Sequence, residues 1–191
     1  EAGNAVASVL YGDYNPAGKL TMSFPRNVGQ IPIYYNHFNT GRPATDDNNH
    51  IYNSSYLDES IFPKFPFGFG LSYTSFSYAN LALSKKVMNM KDSIAVSFTL
   101  TNTGQQAGEE VVQLYLHNKR ASVVMPVKAL KDFQKIMLQP GESKKIKFNI
   151  NKEKLSFYNA NLKWDAEPTD FDLMIGSSSE DLRLKESFEL K

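Results

Sequence analysis

Two different spacings of apolar residues divide the chain. Near its start Ala2, Ala5, Val6, Val9 and Leu10 recur at helical intervals, and Gly12 follows the last of them where a left-handed cap glycine belongs. This spacing predicts a helix over 1–11. Asp13, Asn15, Pro16 and Gly18 form a turn, after which Leu20, Met22 and Phe24 alternate with Lys19, Thr21 and Ser23 as in a strand that Pro25 ends. Further on the period is two throughout. Ile94, Val96, Phe98 and Leu100 alternate with Ser93, Ala95, Ser97, Thr99 and Thr101. Val112, Leu114 and Leu116 repeat the pattern with Gln113 and Tyr115 opposite, and Ile146, Phe148 and Ile150 repeat it between lysines and asparagines. Leu130 with Phe133 through Leu138, then Phe171, Leu173 and Ile175, then Leu184, Phe188 and Leu190 predict further strands, and Leu81 to Leu83 the first. Six or seven short strands with turns about every ten residues describe a two-sheet sandwich of immunoglobulin-like architecture.

The grammar changes at the stretch from Phe65 to Phe76, Phe-Pro-Phe-Gly-Phe-Gly-Leu-Ser-Tyr-Thr-Ser-Phe. Its two glycines supply backbone freedom beside bulky rings, and Pro63 and Pro66 stiffen the approach. It reads as a hinge, either a buried connector between two packed units or an exposed aromatic binding surface. Before it, between Arg26 and Pro63, regular structure fades into a long polar loop containing Tyr34, Tyr35, Asn36, His37, Asn39, Thr40, Arg42, Asp46, Asp47, Asn48, Asn49 and His50. Amide, guanidinium, imidazole and aromatic groups together are what a sugar-binding edge uses for hydrogen bonds and ring stacking, and they serve equally in a loop that packs on a neighbouring domain. His37 and His50 with Asp46 and Asp47 between them lack ligand spacing such as His-x-x-x-His, so no metal is expected.

Composition narrows the chemistry. The 191 residues suffice for one large domain or two small ones, and a formal charge of +1 gives no field to attract nucleic acid. No apolar run reaches the roughly 18 residues of a membrane helix. Cysteine is absent, which removes disulfides and thiolate chemistry. Gly-x-Ser-x-Gly and phosphate-cradling glycine loops are also absent. Glycoside hydrolysis needs two carboxyl groups at a defined separation, and nothing in the spacing of Asp13, Asp46, Asp47, Asp58 and Glu59 brings two of them together. Trp164, the single tryptophan, reads as core or edge packing, and Lys144, Lys145 and Lys147 as a solvated sheet face.

The words themselves are familiar. The run from Glu1 to Leu20, then Ser23-Phe24-Pro25-Arg26, Val28-Gly29-Gln30-Ile31-Pro32, Tyr34-Tyr35-Asn36-His37, Asn39-Thr40-Gly41-Arg42-Pro43 and the hinge, in that order, resembles the C-terminal part of family 3 glycoside hydrolases of the bacterial beta-glucosidase and beta-xylosidase type. Asn102-Thr103-Gly104, Gly108 to Tyr115, Pro126 to Phe133 and Leu138 to Glu142 resemble that family's fibronectin type III-like domain.

The resemblance implies a mainly β chain. A remnant of an α/β sandwich domain (helix, strand and long loop) would occupy 1–76, and a fibronectin type III-like β-sandwich 77–191. It implies a retaining parent enzyme that hydrolyses β-glycosides, with an aspartate nucleophile on an N-terminal barrel and a glutamate acid/base on the α/β domain, both upstream of Glu1. No catalytic residue carries over to this chain, which opens without a methionine as if mid-fold and would be inactive alone. No cofactor or metal is implied. Its partners would be the upstream barrel and α/β domain, its compartment periplasmic or extracellular. Substrate-contacting candidates are Tyr34, His37, Asn39 and Arg42. An alternative is a carbohydrate-binding or interdomain interaction module presenting a row of aromatics, for which Tyr115, Phe157, Tyr158 and Trp164 are candidates. A third reading, an extracellular adhesion-type domain, has the first 76 residues against it.

Overall fold

A computed structural model describes residues 1–44 and 52–191. Helix α1, Ala2–Leu10, ends as its spacing predicts: Tyr11 and Gly12 donate to the carbonyls of Ala7 and Val9, and Gly12 adopts φ +82°. The helix has no buried residue. Val6 and Leu10, the apolar positions that define it, are 58% and 73% exposed.

The alternation at 20–24 gives extended chain but no sheet strand, correcting that part of the expected remnant. Its pairing partner is the hinge. Phe24 N–H donates to Phe65 O at 2.8 Å, Lys64 N–H to Phe24 O at 2.8 Å, Leu20 N–H to Phe69 O at 2.8 Å and Gly68 N–H to Leu20 O at 2.8 Å. Between these two anchor points the ladder breaks, because Pro66 has no N–H to donate and Gly68, at φ +79°, turns the hinge. What remains is one antiparallel bridge, Phe24 to Phe65. A 3-10 turn, Val28–Gln30, follows, with the Gly29 N–H capped by the Asn27 side chain.

The rest is the expected sandwich. Its strands are β1 (Phe76–Leu83), β2 (Val87–Met88), β3 (Ser93–Asn102), β4 (Gly108–Asn118), β5 (Ala129–Leu138), β6 (Ser143–Asn151), β7 (Phe157–Tyr158), β8 (Trp164–Asp165), β9 (Thr169–Gly176) and β10 (Leu182–Leu190). Strands β1-β3-β6 form one sheet and β2-β10-β9-β4-β5 the other, antiparallel except for the short β2–β10 pair. A one-turn helix α2, Lys152–Leu155, capped by Asn151, leads into the separate β7–β8 hairpin. The period-two residues face each other across the sheets: Ile94, Val96, Phe98, Leu100, Ile146, Phe148 and Ile150 from one, Val112, Leu114, Leu116, Phe171, Leu173, Ile175, Phe188 and Leu190 from the other. Lys145 and Lys147 on edge strand β6 point to water, as the alternation requires.

Strand β4 departs from simple alternation. Gln113 and Tyr115, on the face expected to be polar, are as buried as the core side. The first 76 residues explain this, because part of them lies across that outer face.

Candidate functional site

The covering arm is built from Tyr34 to Phe38 and from the hinge. Val127 N–H donates to His37 O at 2.9 Å, and Phe38 bridges to Pro126. Tyr35 stacks on Phe67 with ring centroids 4.3 Å apart and meets Tyr115 edge-on at 5.8 Å, while Leu130 N–H donates to the Tyr35 hydroxyl at 3.3 Å. Gln113 locks the hinge to the sheet. Its Nε2 donates to Ser177 O at 2.7 Å and Gly68 O at 3.3 Å, and its Oε1 accepts from the Tyr115 hydroxyl. Any Cβ at Gly68 would overlap that amide, a close approach that demands glycine alongside the positive φ. Ser179 N–H donates to Phe67 O at 2.9 Å, fixing the β9–β10 turn against the hinge.

A second part of the seam is ionic. Lys19 Nζ lies 3.2 Å from Glu110 Oε1, which also accepts from the Tyr78 hydroxyl at 3.1 Å. Arg183 covers the Tyr78 ring at 4.9 Å, donates to Phe76 O at 2.5 Å and pairs with Asp181 at 2.7 Å. Burial pushes the Glu110 carboxyl above the usual carboxylate range, and Lys19, Tyr78 and Arg183 pull it only partly back. Burial, then the nearby Glu110 charge, raises the Tyr78 hydroxyl, so it stays a neutral donor. These groups satisfy one another, which marks them as structural.

Between the arm and the sandwich lies a cavity of about 580 Å³. Tyr34, His37, Asn39, Tyr56 and Phe62 line it from one side, Val127, Lys128, Ser179 and Glu180 from the other. Buried Gln30 sets part of the wall, donating from Nε2 to Ser60 O at 2.7 Å and Phe62 O at 3.3 Å. Three of the four predicted contact residues thus meet here. Arg42 does not line the cavity; its guanidinium lies 5.9 Å from the Tyr52 ring. The polar residues contributed by the sandwich, Lys128 and Glu180, carried no local signal, because they reach the cavity from turns about 90 and 140 residues downstream of the arm.

The cavity lining among the described residues includes a single acidic side chain, Glu180, where glycoside hydrolysis takes two. Of the other carboxylates considered, Asp13 is exposed and Glu59 accepts from Asn27 Nδ2 at 2.7 Å and Ser60 N–H at 2.9 Å; Asp46 and Asp47, with His50, lie outside the described residues. Among the described residues no group of three His, Asp or Glu side chains is placed to hold a metal, and no helix is long and apolar enough to cross a membrane.

Two aromatic readings need correction. Tyr115 and Phe157 are buried, so no planar row of the four candidates exists; Tyr158 and Trp164 are exposed but meet edge-on, 62° apart. Trp164, 56% exposed on its hairpin, belongs to no core. The hinge is neither wholly buried nor an open platform, since Phe76 is buried and Phe67 stacked while Leu71 and Tyr73 face water.

Residues 1–73 match the glycosyl hydrolase family 3 C-terminal domain, and residues 110–179 match the fibronectin type III-like domain. With this order of elements, the chain belongs to family 3 of the glycoside hydrolases, within their C-terminal part. It is 50% identical over its whole length to a periplasmic beta-glucosidase of Salmonella typhimurium, covering 25% of that protein. It is 43% identical over 93% of its length to a beta-xylosidase of Formosa agariphila, covering 24% of it. The structure of a beta-glucosidase from Listeria innocua in complex with isofagomine superposes on all of this chain with a TM-score of 0.94 at 44% identity, over 26% of the Listeria chain. The chain thus spans about a quarter of the length of the relatives it matches.

Proposed function

We propose that this chain is the non-catalytic C-terminal part of a retaining β-glycosidase acting on terminal β-D-glucosides or related β-glycosides, and that it acts as a scaffold for the catalytic domains. The observation that carries this reading is identity along the whole chain to glycosidases four times its length. The division at residue 76 into an α/β-domain remnant and a sandwich goes with it, and so does an upstream barrel and α/β core carrying nucleophile and acid/base. The bare apolar side of α1, Val6 and Leu10, supports a packing role against that upstream domain. A periplasmic or extracellular location is supported by the periplasmic Salmonella relative.

Tyr34, His37 and Asn39 are proposed to contact the glycoside from the arm, and Arg42 to order the arm beside them. The exposed Tyr34 ring and the neighbouring amide and imidazole suit a ligand with both hydroxyls and an apolar ring face. Alanine at Tyr34, His37 or Asn39 in the full-length enzyme is expected to raise KM about three- to thirtyfold for an aryl β-glucoside, the loss of one or two hydrogen bonds or a ring contact. Unchanged KM and kcat in all three variants would remove the assignment. The alternative of a separate carbohydrate-binding module loses its feature with the burial of Tyr115 and Phe157.

A further inference from the structure

We infer that the sandwich itself takes part in substrate recognition, through Glu180, whose carboxylate accepts hydroxyl hydrogens of the bound glycoside at the seam cavity. This rests on the reading of that cavity as a saccharide site. It changes the sandwich from a passive support into one wall of the site.

Three observations lead there. Glu180 is the single acidic residue among the described residues of the lining, and it faces the arm bearing Tyr34, His37 and Asn39. Its carboxylate is only half used: Oε1 accepts from Lys128 Nζ at 3.0 Å, while Oε2 has no partner among the described residues. A carboxylate offers about four acceptor directions, so hydroxyl donors can be taken up without breaking the ion pair. Its position is also fixed from behind. Ser178 Oγ accepts from the Glu180 and Asp181 N–H groups at 3.3 and 3.0 Å, Ser179 N–H is held by Phe67 O, and Lys128 Nζ donates to Ser179 O at 2.6 Å. A turn clamped at four points, ending in a half-exposed acceptor, is preorganised for a ligand in a way that a mobile surface glutamate is not.

Lys128 is the positioning residue. Its side chain is 15% exposed against 39% for Glu180, so the ammonium lies behind the carboxylate, with the carboxylate toward open space. Neighbouring Tyr56 and Phe62 supply apolar surface for a sugar ring face, and His37 and Asn39 complementary donors. By contrast Glu110, in the ionic part of the seam, is engaged by both Lys19 and Tyr78 and does not line the cavity.

The test is steady-state kinetics of the full-length enzyme carrying Glu180→Ala, Glu180→Gln and Lys128→Met, with cellobiose and an aryl β-glucoside as substrates and the melting temperature of each variant recorded. Expected for Glu180→Ala is a rise in KM of about five- to thirtyfold with kcat within about twofold, the signature of lost binding shared by ground and transition states. Glu180→Gln, which keeps an acceptor oxygen, should recover part of the loss. Lys128→Met should raise KM less and lower the melting temperature more. Unchanged KM in Glu180→Ala, or a loss that follows only the melting temperature and is not rescued by glutamine, overturns the inference while wild-type hydrolysis leaves the proposed function standing. Absence of hydrolysis by the wild-type enzyme on every β-glycoside overturns the proposed function itself.

Discussion

Asn102 and Ser179 are both fully buried polar residues, yet they should respond oppositely to alanine. Asn102 accepts from Thr74 Oγ1 at 2.6 Å and Gly104 N–H at 3.0 Å, and donates to Gln106 O at 2.7 Å and Leu138 O at 3.1 Å. Its removal strands four groups of the β3 exit, and Asn102→Ala is expected to cost about 2–4 kcal/mol in denaturant unfolding. Ser179 Oγ has no hydrogen-bond partner among the described residues, so Ser179→Ala should change stability by less than about 0.5 kcal/mol or raise it slightly. At Gly68 both φ and space are set: Gly68→Ala is expected to cost about 1–3 kcal/mol in the same measurement, by straining the backbone and displacing Gln113. Glu110 adds a pH dependence. Its carboxyl is raised above the unfolded value, so the folded chain holds that proton longer; its contribution is greatest below the ordinary carboxylate range and is lost as pH rises through the raised value. Glu110→Gln should flatten that part of the stability-against-pH curve, and a curve of unchanged shape would contradict the burial assigned to it.

At the scale of elements, the long strands were legible and the two-residue strands were missed. Strands β3, β4, β6, β9 and β10 write their inward residues two apart, so the sequence carries their period. The two-residue strands β2, β7 and β8 have no period to read. The segment 20–24 alternates without a sheet to join, and its partner, the hinge, lacks an N–H where the next rung would form. Of the two readings of Trp164, core or edge packing, the structure has the second: the ring packs edge-on against Tyr158 on an external hairpin. Its exposure makes it a probe. The intrinsic fluorescence of the folded chain should be red-shifted and readily quenched by acrylamide, and Trp164→Ala should cost under about 1.5 kcal/mol, the value of one edge contact. A blue-shifted, protected emission would place the hairpin against something else.

At the scale of the molecule, the arm and the sandwich share one seam, and the cavity is a property of both. Tyr34, His37 and Asn39 could be chosen from the sequence because they cluster in one polar loop; Lys128 and Glu180 could not, since only the folded seam brings their turns to the loop. Arg42 stood in the same cluster by spacing, yet the backbone turns it toward Tyr52. The burial of Tyr115 was illegible for the same reason, because the alternation of β4 carries no mark of the arm that covers its outer face. The apolar side of α1 that faces water, and a length about a quarter of that of the matched relatives, support the proposed role of completing a larger enzyme. The most direct measurement is turnover of an aryl β-glucoside by the purified 191-residue chain beside the full-length protein at equal molar concentration. Release of the aryl group by the full-length protein alone is the expected result; sustained release by the 191-residue chain would contradict it.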